Sequence, residues 1–202
     1  MLSILAALAL AAPHAHSAAA GHRHARPHCS FRNIRACTDT LELRRDPNFE
    51  RAVAAFAGGA RGHYLGIGSL VSEQVIIGLS SSEDPVDLGG GVLRFNGWVQ
   101  HDAQERGAAI LAPGKILALG LIHYNGLKSP MTRSLDIWVR RSNSDNGRYI
   151  AALRKWGDYE VERDRKLAEH WRLPFLPADP LRSVHVHMLP EAPRRGARRL
   201  RP

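Results

Sequence analysis

The chain has 202 residues, 44% of them hydrophobic and 23% charged, with a formal net charge of +9. That length and composition fit a folded domain with a real core and exclude a chain too polar to collapse. Residues 1–40 hold four Arg against one Asp, and residues 191–202 five Arg against one Glu. The remaining 150 residues carry 19 basic and 17 acidic side chains. The basicity belongs to the ends, so the folded body offers no case for a nucleic-acid surface.

Residues 2–12, L-S-I-L-A-A-L-A-L-A-A, form an apolar run too short to span a bilayer and suited to the core of a secretory signal. Small residues at Ala15/Ser17, Ser17/Ala19 and Ala18/Ala20 offer three cleavage frames, although no basic residue precedes the run. Residues 1–20 are therefore expected to be a signal peptide, and the protein periplasmic or secreted. Residues 21–40 read as a basic, His-rich linker. His22, His24, His28 and Cys29 include transition-metal ligands, but no second cluster has matching spacing, and no metal or cofactor is expected. Cys29 and Cys37 are the two cysteines; in an oxidising compartment they pair, and otherwise they are free thiols. Closing so short a loop contributes about 2–3 kcal/mol in the chain-entropy account.

Residues 41–175 carry the patterned body. Asp46-Pro47 is a helix start, and Phe49, Val53 and Phe56 follow at i, i+4 and i+7 until Gly58-Gly59 ends the stripe. Short apolar runs at Tyr64–Ile67, Val75–Leu79 and Val86–Leu88 alternate with Gly-rich turns. Strands are predicted at Val92–Val99, Gly107–Ala112, Ile116–Tyr124 and Leu135–Arg140, with Pro113-Gly114 turning one hairpin. One helix follows through Tyr149, Ile150, Leu153 and Trp156, and a second, highly charged one after Gly157. The fold class is α+β: an antiparallel meander of about five strands, with an N-terminal helix and C-terminal helices packed on one face. Residues 176–202 read as a Pro/Arg-rich disordered tail.

The strand 92–99 puts Leu93, Phe95, Gly97 and Val99 on one side and Arg94, Asn96 and Trp98 on the other. It runs into Gln100, His101 and Asp102, where the apolar pattern stops, so these residues are expected on a loop displayed between two strands. The stretch W-V-Q-H-D-A, with the early helix D-P-N-F-E-R-A-V-A-A-F and the hairpin A-A-I-L…K-I-L-A-L-G-L-I, resembles the Ivy-type inhibitors of vertebrate (c-type) lysozyme. Those are periplasmic proteins whose strand leads into a C-K-P-H-D-C loop. The resemblance covers roughly residues 46–140 and implies an inhibitory loop, 98–105. His101 falls on the histidine that enters between the catalytic carboxylates of the lysozyme, and Asp102 on the aspartate beside it. Trp98 and Ala103 stand where the family has its loop cysteines, so the disulfide that stiffens that loop is absent. The implied partner is a c-type lysozyme or related muramidase.

Other readings carry less chemistry. His101 and Asp102 also read as solvated strand-end residues, and His101, Asp102 and Glu105 as an acid/base cluster that lacks any nucleophile or metal set. No enzyme is expected. His123 reads as a satisfied strand-end residue, and the two imidazoles of His185-Val186-His187 as an adventitious metal pair. Trp138 is expected partly exposed, packed under the C-terminal helix. The Arg-rich stretch 194–201 offers a contact to an anionic envelope surface.

Overall fold

The computed structural model describes residues 28–65, 68–100, 102–124, 132–172 and 181–191, with the backbone alone described at 102–104. The expected signal segment lies outside these residues. Two short helices, α1 (Thr40–Arg44) and α2 (Pro47–Ala57), come first. A small hairpin, β1 (Arg61–His63) and β2 (Gly68–Leu70), leads into α3 (Val71–Gly78). Then come β3 (Val86–Gly89), β4 (Val92–Val99), β5 (Asp102–Ala112), β6 (Lys115–Tyr124) and β7 (Arg133–Arg140). A long helix, α4 (Asn146–Trp171), and β8 (Leu181–Leu189) complete the described chain.

Strands β3 to β8 form one six-stranded sheet in sequence order. All its pairs are antiparallel except β7 with β8, which is parallel. The α+β meander is as the pattern predicts, but the helices occupy both faces. Leu93, Phe95, Leu119, Leu121 and Trp138 pack with α1, α2 and α3. Val92, Ile110, Ile122, Leu135 and Ile137 point the other way, onto Tyr149, Leu153 and Trp156 of α4. Burial on both faces explains the near-continuous apolar runs of β5 and β6.

Helix α2 forms where its cap and stripe place it. The Asp46 carboxylate accepts the Asn48 backbone N–H at 2.9 Å, Pro47 takes the first turn, and Phe49, Val53 and Phe56 are buried. The same carboxylate accepts the Phe31 N–H at 2.7 Å, and that bond more than any other holds its pKa below the ordinary carboxylate value. Phe31 belongs to a loop closed by the Cys29–Cys37 disulfide, and both cysteines are buried with Phe31 and Ile34 in the core. The folded body therefore begins inside the stretch expected to be a linker. Between β5 and β6, Gly114 adopts φ 71°, and its N–H donates to the Phe31 carbonyl at 2.7 Å.

Three elements differ from expectation. Val75–Leu79 reads as a short apolar run among sheet strands, but belongs to helix α3, whose Val71, Val75 and Gly78 are buried. Helix α4 runs unbroken through Gly157. That glycine is a packing residue, since a Cβ there would meet Leu181 Cδ1 at 2.7 Å and Leu135 Cδ2 at 3.0 Å. Residues 181–189 are a strand and not part of a tail. Parallel pairing needs a crossover, and α4 supplies it between β7 and β8. Trp138 does lie opposite Ile137 and Val139, but it is buried on the α3 side and away from α4.

Helix α3 meets β5 backbone to backbone. A Cβ on Gly107 would lie 2.8 Å from the Gly78 carbonyl carbon and 2.9 Å from the Val75 carbonyl oxygen. Gly107→Ala should therefore destabilise the protein by about 1–3 kcal/mol, the range for overpacking a core. Gly59→Ala, which meets nothing within 4 Å, should change stability far less. Urea denaturation checks both, and equal effects would mean that α3 does not rest on β5.

Candidate functional site

The connection between β4 and β5 is shorter than the expected loop. Val99 pairs with Asp102, so the connection is Gln100 and His101, and Asp102 already belongs to β5. Trp98 pairs with Arg106, so the register jumps there and residues 103–105 form a bulge on the β5 side. Gln100 is exposed, and Trp98 and Val99 are half-buried. His101 lies outside the described residues, as does the side chain of Asp102.

The stem of this hairpin is clamped on both faces. On one, Gly97 and Gly107 let the strands press against the end of α3; the Trp98 N–H donates to Ser81 Oγ at 2.8 Å. On the other, the Arg163 guanidinium of α4 lies 5.9 Å from the centre of the Trp98 ring. Arg163 pairs with Glu83 at 3.0 Å and with Glu160 at 2.9 Å. Glu160 also pairs with Arg106 at 2.9 Å and accepts the Trp156 indole N–H at 3.0 Å. Asp164 bonds both Arg106 and Arg133. Burial pushes the Arg106 pKa down and that of Glu160 up, each against the pull of its opposite charges. Arg106, Arg133 and Glu160 are each 2% exposed or less, so this inner part of the network is dry, and breaking it would strand a charge.

A second polar cluster sits on the α3 face, and it was not read from the sequence as a unit. Asp136 is buried in β7. One carboxylate oxygen bonds His123 Nε2 at 2.7 Å, and the other bonds His187 Nε2 on β8. His123 Nδ1 lies 3.0 Å from the Tyr124 carbonyl, so both its ring nitrogens face acceptors. His187 stacks on Trp138 at 5.1 Å, and Tyr64 meets Trp138 edge-on at 5.2 Å. Gln74 of α3 fixes the turn that carries Tyr64: its Oε1 accepts the N–H groups of Tyr64 and Leu65, and its Nε2 donates to the carbonyls of Gly62 and Ser69. An acid inside L-D-I-W-V was the signal available, since a buried carboxylate needs partners. His123 is satisfied as expected, whereas His187 is a structural partner and His185 stays exposed.

The remaining readings resolve less. Cys29 is in a disulfide, which removes its thiolate from any metal set with His28. His22, His24 and residues 194–201 lie outside the described residues. Among the described residues, no group of three or more His, Cys, Asp or Glu is placed to hold a metal ion, and no helix is long and apolar enough to cross a membrane.

Burial pushes the Asp136 carboxyl up, but the hydrogen bonds and charges of His123 and His187 together outweigh it, so its pKa stays below the ordinary value. A depressed carboxyl pKa contributes stability above the unfolded value near pH 4, and that contribution is lost as pH falls through the folded value. Asp136→Asn should cost about 1–3 kcal/mol at neutral pH by leaving a buried imidazole donor unpaired. As pH falls from about 4 through the lower folded value, the variant and wild type should converge; denaturation curves that stay parallel through acid would remove the linkage. In comparisons with family models, curated proteins and solved structures, nothing matches this chain.

Proposed function

We propose that this chain is an exported inhibitor of a lysozyme-like muramidase, which it blocks by inserting the β4–β5 turn, with His101 as principal contact, into the catalytic cleft. The observation that supports this most is the two-faced clamp on the hairpin stem, at Gly97 and Gly107 on one side and at Trp98 and Arg106 on the other. A turn on a fixed stem loses little freedom when it enters a cleft, so the clamp serves the role of the disulfide that this stretch lacks. The chemistry at the tip suits the target. A retaining glycosidase holds two carboxyl groups about 5 Å apart, and an imidazolium between them hydrogen-bonds both. The Cys29–Cys37 disulfide and the apolar run at 2–12 support a periplasmic or secreted location.

Calorimetric titration with c-type lysozyme, paired with a lytic assay, tests the reading. His101→Ala should weaken binding by about 2–5 kcal/mol, as for truncating one partner of a buried charged contact. Trp98→Ala, which loosens the stem without touching the tip, should cost less, about 0.5–1.5 kcal/mol. Wild-type protein that neither binds nor inhibits at high micromolar concentration would reject the partner. Tight binding indifferent to His101 would keep the partner and reject the mechanism.

A further inference from the structure

A groove of about 610 Å³ lies between α4 and the β3–β4 edge of the sheet, a size that suits a small-molecule ligand. Its apolar walls are Val86 and Leu88 on the strand side and Ala152, Trp156 and Tyr159 on the helix side. Val86 is 39% exposed and Tyr159 59% exposed, so the groove leaves apolar surface open to water. Arg94 also lines it, half-buried. Its Nε donates to Asn96 Oδ1 at 3.1 Å, and no described group bonds its two terminal nitrogens.

The acids nearest Arg94 are engaged elsewhere. Glu83 and Glu160 are the carboxylates whose charge acts on it. Glu83 accepts from Asn96 Nδ2 and from Arg163. Glu160 serves Trp156, Arg106 and Arg163. Arg94 thus keeps a planar fork of N–H donors aimed into a partly dry groove, and such a fork matches a carboxylate in two parallel hydrogen bonds.

Three further features narrow the occupant. Arg148 of α4 donates to the carbonyls of Leu88 and Gly89 in β3, and the Arg163–Glu83 pair ties α4 to the loop that precedes β3. A groove crossed by a strap at each end suits a short molecule better than a peptide running through. Its lining also includes Asp84 and Asp87 against Lys155, which disfavours a polyanion. We propose that this groove binds a single-chain amphiphile with one carboxylate, its head gripped by Arg94 and its apolar chain lying between Val86 and Leu88 on one side and Trp156 and Tyr159 on the other. The proposal is independent of the muramidase reading.

The test is an NMR titration of the full chain with decanoate and, separately, with decanol, both below micelle formation. The Val86 and Leu88 amides and the Trp156 indole N–H are followed. Decanoate should shift these signals saturably. Arg94→Gln should weaken its binding about tenfold or more, the loss of a bidentate charged contact, while leaving decanol unchanged. Ala152→Phe, which keeps Arg94 and fills the groove, should abolish both titrations, and it decides the matter if Arg94→Gln does not fold. Overturning results are an absence of saturable shifts at millimolar decanoate, decanoate binding that survives Ala152→Phe, or equal affinity for acid and alcohol. Competition for the same signals by citrate would likewise reject a site for one negative charge.

Discussion

The arrangement at one end of this molecule depends on a cluster of charges buried between the sheet and α4. Arg106 and Arg133 come from two strands that are not neighbours, and Glu160 and Asp164 from successive turns of one helix. Withdrawing such charges from water costs several kcal/mol for each ion, and the attraction repays this only where every partner is in place. The cluster therefore sets position more than it adds stability. Aliphatic contacts such as Leu153 against the sheet tolerate a slide along the helix axis, whereas an ion pair of 2.9 Å does not. With α4 held in one register, Arg163 falls over Trp98 and Trp156 falls beside the edge groove.

The sheet separates two chemistries that share no side chain. On the α4 side, positive and negative groups are paired in a dry layer. On the α3 side, a single carboxylate is held between two imidazoles under aromatic rings. Alternation along β6 and β7 is what sends Arg133 to one layer and Asp136 to the other. Because both faces are covered, a change of one position in register would move an arginine into the aromatic layer and a carboxylate into the aliphatic one. These buried polar residues thus guard the register of strands whose apolar residues alone would specify it weakly.

Much of this fold is legible in the sequence, and the failures have physical causes. Helix α2 has a cap, a first-turn proline, an apolar stripe and a glycine stop, so every local signal agrees. The β5–β6 hairpin is marked by Pro113-Gly114. Helix α3 is different: V-I-I-G-L is buried on several sides at once, and a short run of that kind carries no period to separate helix from strand. Gly157 misleads because close packing against Leu135 and Leu181 needs the same residue that stops a helix. Strand β8 pairs with β7 across a 26-residue helix, and no local pattern announces so distant a partner. At the β4–β5 turn the sequence marks where the apolar pattern ends. The bulge at 103–105 and the clamp on the stem arise from tertiary contacts, with only Gly97 and Gly107 as outward signs.

The parallel pairing of β8 also bears on how the sheet assembles and opens. Strands β3 to β7 close on sequence neighbours through short connections, and chains rich in such local contacts assemble quickly. Strand β8 pairs with β7 across the whole of α4, so its contacts close a much longer loop of chain. Like β3 at the other edge, it has one neighbouring strand among the described residues, so it can open without parting the central strands. Its departure would carry His187 away from Asp136 and uncover the ring of Trp138. Breathing at this edge would therefore expose a carboxylate and an indole together, and amide exchange along 181–189 would outpace exchange along β6.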